Sequence, residues 1–371
     1  MKEERLAMYH EIEFACDLSV VAWRSYQSGN VGAAKALYRR ALRLFQRSKG
    51  KTVPEIASVL NRLGLILESN REYNDAGECF QRACELMESA QGDKRMARLK
   101  VRSLYHFGRI RIVQGYRDEA ENFIRKAVDV AEERLGRRDL EYAYAVNQLA
   151  MLYRHKQNFA EARPLYYRAL RILETKLGSE HPRVASIYRN LSDLEYAQGR
   201  YEKGEPFARR AILIRLTVLG PDHADLAGDL AILASLLKAQ KKFWEAEKLL
   251  DRALAITEAK YGQDHYETSV HFVNLASLYA MQGNHQQAEW FYWQGLTIKE
   301  KSLGSGNIDS AFTMVHLGDL YETQSRYDEA HTLFHRALMI FEKILKPNHP
   351  HTISCRKKHE SLLSLVETVA S

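Results

Sequence analysis

Apolar and polar positions along the chain recur with a long period. Small residues at Ala34, Ala76, Ala120, Ala162, Gly204, Ala246, Ala288 and Ala330 stand 42 residues apart, except for one gap of 44 between Ala76 and Ala120. Twelve residues before each lies a second small residue: Ala22, Gly64, Gly108, Ala150, Ser192, Ala234, Ala276 and Gly318. Seven after lies a third, from Ala41 to Ala337. Four after, the chain places mostly large apolar residues, Tyr38, Phe80, Ile124, Tyr166, Leu250, Tyr292 and Phe334, with Ala208 the exception. Small residues let helix backbones approach, and a bulky residue one turn along fills the facing groove. Each unit therefore reads as a helical hairpin.

The breaks in the pattern agree. "SGN" at Ser28, "QGY" at Gln114, "QGR" at Gln198 and "QGN" at Gln282 put a C-cap glycine between the two helices of a hairpin. Pro164 and Pro206 fall in or just past the first turn of a second helix, where a missing amide costs least. A longer connection recurs as "LGSEHPRVA" from Leu177, "LGPDHADLA" from Leu219, "YGQDHYETS" from Tyr261, "LGSGNIDSA" from Leu303 and "LKPNHPHTI" from Leu345. Asp222 with Asp225, and Asp264 with Glu267, have the spacing of an N-cap and its capping-box partner, and Pro182 and Pro350 suit a first helical turn. His181, His223, His265 and His349 lie whole repeats apart, so they cannot converge on one metal ion. These loops are expected to be helix boundaries.

The phrase "NQLAMLYRHKQNFAEARPLYYRALRILETKLGSEHPRVA", Asn147 to Ala185, resembles the tetratricopeptide repeats of kinesin light chains and of proteins sharing that long repeat. The likeness runs over about residues 15 to 350. It implies an all-α, right-handed tetratricopeptide-repeat superhelix, an α-solenoid, whose first helices line a concave groove that takes short extended peptides. Kinesin light chains carry a heptad coiled coil ahead of the repeats, and residues 1–14 here are expected only to extend the first helix. The expected organisation is one domain over 1–371, with eight repeats over 15–349 and a capping helix over 350–371. In that last helix Leu362, Leu363, Val366 and Val369 form an apolar stripe with a polar back, as a solenoid end requires.

Composition narrows the function. With 46% apolar and 27% charged residues the 371-residue chain can bury a large core. No stretch approaches the roughly 18 to 20 apolar residues of a membrane helix, and "MKEERLAMYHEIEF" reads as neither secretory signal nor transit peptide. A cytoplasmic protein without membrane insertion is expected. Cys16, Cys79, Cys84 and Cys355 show no CxxC pair, and Cys79 and Cys84 fall at core positions of the template. No nucleotide loop, HExxH or GxSxG appears, and His155, His316 and His335 are read as lacking a ligand-type partner one turn away. Neither an enzyme, a cofactor nor a metal is expected.

Charge is uneven. The net charge is +7, and Lys94, Arg95, Arg98, Lys100, Arg102, Arg109, Arg111 and Arg117 follow one another without an acid. That stretch alone carries +8, leaving −1 for all other residues together. The resemblance implies groove positions six, three and two before the small residue of the first helix, and one and four after it. In the third repeat these are Arg102, Tyr105, His106, Arg109 and Ile112. Neighbouring repeats add Asn61, Arg62, Asn147, Gln148, Arg154, Arg189, Asn190 and, in the seventh, Asn274. The later repeats are milder there, with Ala231, Ile232, Ser235, Val273, Ser277, Val315 and Asp319. Arg102 and Arg109 share a face and are interleaved with Tyr105 and His106 instead of glutamates.

The expected function is a protein–protein interaction scaffold or adaptor that binds an extended, partly acidic peptide, its arginines meeting carboxylates and its asparagines the main chain. The alternative is a single-stranded-RNA-binding solenoid using the basic patch around residues 94–117, since Arg with Tyr or His is also a stacking set. The patch spans too few repeats for a backbone-tracking stripe, which favours the peptide. Trp290 and Trp293, two and five after Ala288, form a candidate second surface on the convex side, suited to homo-oligomerisation or another interface.

Overall fold

The computed structural model describes residues 2–47, 52–88, 93–345 and 347–370, with side chains from 9 to 363 inside those ranges. Among the described residues there are seventeen α-helices. Sixteen pair as hairpins: α1 Lys2–Gln27 with α2 Val31–Arg47, α3 Val53–Ser69 with α4 Tyr73–Glu88, α5 Lys94–Val113 with α6 Arg117–Arg134, and α7 Leu140–His155 with α8 Phe159–Leu177. The series continues with α9 Pro182–Ala197 and α10 Tyr201–Leu219, α11 Ala224–Ala239 and α12 Phe243–Tyr261, α13 Tyr266–Met281 and α14 His285–Leu303, and α15 Ile308–Thr323 and α16 Tyr327–Ile344. The unpaired α17, Pro350–Ala370, closes the series against α16. Among the described residues no helix is long and apolar enough to cross a membrane.

Contacts divide the chain into two compact units, one ending at Lys176 and the other starting at Leu177. In the first unit α3 packs on α1 and α5, and α5 on α7. In the second, α11 packs on α9 and α13, and α13 on α15. First helices thus form an inner row in each unit, while second helices wedge between them from outside. The small-to-large rule explains the fit. A Cβ on Gly64 would lie 2.7 Å from the Phe80 ring, one on Gly318 would lie 2.7 Å from Phe334, and one on Gly108 would collide with Ile124. Tyr38, Phe80, Ile124, Tyr166 and Phe334 are completely buried, as are Ala34, Ala76, Ala120, Ala162, Ala246, Ala288 and Ala330.

Every hairpin turn needs one residue in the left-handed region. Gly29, Gly115, Gly199 and Gly283 supply it in alternate repeats, and Arg71, Gln157, Lys241 and Ser325 adopt it in the others at φ between 59° and 64°.

The long loops are helix boundaries with a different cap from the expected one. His181, His223 and His265 are the N-cap residues, and each accepts through Nδ1 from the amide two residues on: Arg183 at 3.1 Å, Asp225 at 3.2 Å and Glu267 at 3.2 Å. His349 accepts in the same way from His351 at 3.3 Å. Asp222 and Asp264 lie one residue too early to cap. The histidine occupies the extended N-cap conformation, with ψ of 134° at His223, so its ring reaches the free amides. Asn307 caps α15, and Asp93 and Asp139 cap α5 and α7. In α17, Leu362 is buried whereas Leu363 is exposed, and the side chains of Val366 and Val369 lie outside the described residues.

Candidate peptide-binding interface

In the first unit, the basic run on α5 meets acids delivered by neighbouring repeats and, at Arg111, by its own hairpin partner α6. Arg95 bonds Glu55 at 3.2 Å, Arg98 bonds Asp139 at 2.9 Å, Arg111 bonds Glu119 at 3.1 Å, and Arg109 pairs with Glu68. Arg102 donates through Nε to Glu141 at 2.7 Å, and this carboxylate holds the guanidinium above its ordinary pKa against the opposing effect of burial. The absence of acids within the run is therefore no absence in space. A partner one repeat away does what a glutamate one turn away does on a lone surface helix.

The other first-unit candidates divide by burial. Tyr105 and His106 are buried, Tyr105 with its hydroxyl 3.5 Å from Glu141 and His106 stacked on Phe80 at 5.1 Å. Neither ring presents a face for stacking a base. Asn61 is buried too, and its carboxamide exchanges bonds with Ser103 at 2.9 and 3.1 Å. Arg62 is exposed over the Trp23 ring at 5.5 Å. Asn147 is half-buried and reaches the Met151 sulfur at 3.9 Å; Gln148 is buried; Arg154 is half-buried beside His155. Burial, with Arg154 and Arg117 nearby, pushes the His155 imidazole down to about 4.

What sequence reading left out is the loop opposite. Arg98 and Arg102 share a cleft of about 720 Å³ with Arg137 and Arg138 of the α6–α7 loop and with Lys176. Its acids lie deep: the Glu141 side chain is 3% exposed and that of Asp139 15%, whereas those of Arg98, Arg102 and Arg137 are 46%, 47% and 71% exposed. The mouth of the cleft is cationic and its floor anionic.

In the second unit, Arg189 lies over Gly228 with Nε 3.8 Å from Asp229. Asn190 on α9 and Asn274 on α13 are half-buried. Two of the milder positions, Ser277 and Asp319, belong to a polar network. Lys238 on α11 donates to Ser277 on α13 at 2.8 Å, and Ser277 bonds in turn to the Tyr292 hydroxyl, which burial pushes up to about 12. Tyr292 stacks on His316 at 6.3 Å, and Asp319 receives Lys358 of α17. Burial lowers the Lys238 ammonium, and among the described residues no carboxylate pairs with it. His316 keeps an exposed edge, yet enclosure of its ring is the main cause that lowers its pKa; Asp319 opposes this, and Lys299, Lys238 and Lys358 add to it. Lys238 stands four after Ala234 and so fits the groove register, but a lone lysine makes no run.

Histidine and cysteine chemistry is muted. His316 and His335 do have partners one turn away, Asp319 and His331, and His359 of α17 stacks on His335 and His331 at 5.2 and 4.5 Å, so these three rings lie on one another. Among the described residues no three His, Cys, Asp or Glu side chains are arranged to hold a metal ion. Cys79 and Cys84 are half-buried, and burial pushes their thiols up to about 11 and 12. Trp290 and Trp293 are 54% and 38% exposed on α14, and Trp293 donates to the Tyr321 hydroxyl at 2.9 Å.

Models of the tetratricopeptide repeat match residues 25–89, 99–175, 141–212, 184–247 and 229–301, and a further one matches 313–351. The chain belongs to the tetratricopeptide-repeat family. This repeat fold is typical of protein–protein interaction scaffolds, and the matches indicate no catalytic family. Among solved structures, a Rap protein complexed with competence and sporulation factor is 15% identical, with a TM-score of 0.57 over 96% of this chain and 99% of that one. The apo form of RapI is 14% identical, with a TM-score of 0.56 over 77% and 98%. BtubC (BKLC) from P. vanneervenii is 23% identical, with a TM-score of 0.46 over 69% and 93%. A search of curated proteins finds no match.

Proposed function

We propose that the protein is a scaffold that captures an extended, partly acidic segment of a partner protein on the first helices of its first unit. The observation that carries this reading is the cleft of the first unit, where cations at the mouth stand over carboxylates already engaged by those cations and by the start of α7. A peptide carboxylate entering there meets guanidinium N–H groups left over from those pairs, in charge-assisted bonds. The Rap protein of similar fold, seen with competence and sporulation factor, shows that such a repeat array can hold a ligand. The burial of Tyr105 and His106 speaks against the RNA reading, which needs their faces.

Fluorescence anisotropy with a labelled, amidated poly-glutamate peptide tests this. Wild type should bind with an affinity that falls as salt rises, because exposed charges are screened over about 8 to 10 Å at physiological ionic strength. Arg98→Glu with Arg102→Glu should abolish the binding while helical content holds. Equal binding by wild type and the folded double variant would refute the reading.

A further inference from the structure

The cleft holds more positive charge than one carboxylate can use. Five cations line it against two acids. Asp139 is occupied by Arg98 through Oδ2 and by the Glu141 amide through Oδ1 at 2.9 Å, and Glu141 is taken by Arg102. Arg137 reaches away to Glu132 at 2.8 Å but leaves most of its side chain in water. Arg138 and Lys176, both exposed, pair with no acid among the described residues. Asp139 is also the N-cap of α7, a 16-residue helix, so the positive end of the helix dipole faces the same space.

A lone carboxylate brings one negative charge and a single flat edge. A phosphate monoester brings about −1.5 to −2 charge at neutral pH and three strong acceptor oxygens, and arginine forks match it in shape. We propose that this cleft reads a phosphorylated Ser, Thr or Tyr side chain on the peptide it holds. The volume of the cleft, about 720 Å³, favours a phosphate carried on a peptide over a small free anion, since it is the size of a site for a larger ligand. Arg98 and Arg102 approach from α5, Arg137 and Arg138 from the loop, and the peptide main chain lies between them. This inference rests on the peptide reading given above.

Three labelled peptides of one Asp/Ser-rich sequence, with a central phosphoserine, glutamate or serine, separate the possibilities. Wild type should bind the phosphoserine peptide about tenfold more tightly than the glutamate peptide, the scale of one good charge-assisted fork. Arg137→Gln with Arg138→Gln, at exposed loop positions outside the core, should erase that preference and leave glutamate binding nearly unchanged. Inorganic phosphate should displace the phosphoserine peptide better than chloride at equal ionic strength. Equal binding of the phosphoserine and glutamate peptides by wild type would overturn the phosphate site and leave the peptide reading standing. Failure of both to bind would overturn the two together. An oligo-uridylate that binds as tightly as the phosphopeptide, and loses that binding in the same variant, would assign the cleft to nucleic acid and overturn the proposal.

Discussion

Arg215 on α10 lies against Asp229 on α11 with only 7% of one side chain and 1% of the other exposed. The same guanidinium reaches Asp225 at 3.1 Å and Ser186 at 3.2 Å, tying three helices of the second unit. Removing one member of a buried pair strands a charge, at a cost of roughly 3 to 5 kcal/mol. Asp229→Ala should therefore cost about that much, since Arg215 would keep only the more exposed Asp225 as a carboxylate partner. Arg215→Met should cost less, because Arg189 remains 3.8 Å from Asp229. Urea unfolding of both variants measures the difference; equal small losses would show the pair to be solvated.

The cap register can be tested at a single loop. His223 accepts the Asp225 amide, whereas Asp222 lies outside the helix. His223→Ala should lower stability by about 1 kcal/mol and His223→Asn should restore most of it. Asp222→Ala should cost only a few tenths. Thermal unfolding of the three variants decides whether the histidine or the aspartate is the cap.

The fold was legible in the sequence because helix crossings are local and repetitive: Gly64 beneath Phe80 and Gly318 beneath Phe334 obey one rule of spacing. The cap was not, because Asp222 and His223 both have side chains able to cap, and only the backbone says which of them stands at the extended position. The basic run was legible as charge but not as electrostatics. Arg102 and Glu141 are 39 residues apart, and Arg109 and Glu68 are 41 apart. Pairing at nearly one repeat length is invisible to a search along one helix. Lys238 escaped for the opposite reason: its importance lies in the missing acid, and that appears only when its neighbours on other helices are known.

Half of the hairpin turns carry a side chain where glycine is easier. A non-glycine residue in the left-handed region costs roughly 1 to 2 kcal/mol, against roughly 0.5 to 1 for the extra entropy of a glycine in the unfolded chain. Lys241, at φ 61° and exposed, has little packing to lose. Lys241→Gly should stabilise the second unit by roughly 0.5 to 1 kcal/mol. A lower melting temperature would show that contacts of the side chain outweigh the backbone.

His271 should make the second unit acid-sensitive. It is buried on α13, and burial pushes its imidazole down to about 4. The unfolded chain takes up this proton near the ordinary value of about 6.5, while the folded chain resists until much lower pH. The contribution is thus fully present above about pH 6.5 and drains away as pH falls, by roughly 2 kcal/mol at pH 5. His271→Leu should remove this part of the pH dependence. Parallel urea curves at pH 7 and pH 5 measure it, and an unchanged pH dependence in the variant would show that the buried ring does not resist protonation.

Lys238 on α11 carries a charge with no carboxylate partner among the described residues. Its ammonium donates to Ser277 at 2.8 Å, and burial lowers its pKa. One neutral hydrogen bond returns about 1 kcal/mol, less than the several kcal/mol that the loss of water costs a buried ion. Lys238→Met keeps the apolar stem and removes the charge, so it should raise stability at pH 7 by roughly 1 kcal/mol or more. The unfolded lysine binds its proton up to about pH 10.4, whereas the folded one gives it up earlier. Wild type therefore gains stability as pH rises through that range, and its gap to Lys238→Met should narrow between pH 7 and pH 10. Urea unfolding at both values reads this directly. A variant that is less stable than wild type by the same margin at both would show that the bond to Ser277 outweighs burial, and that the inner row of this unit carries no uncompensated charge.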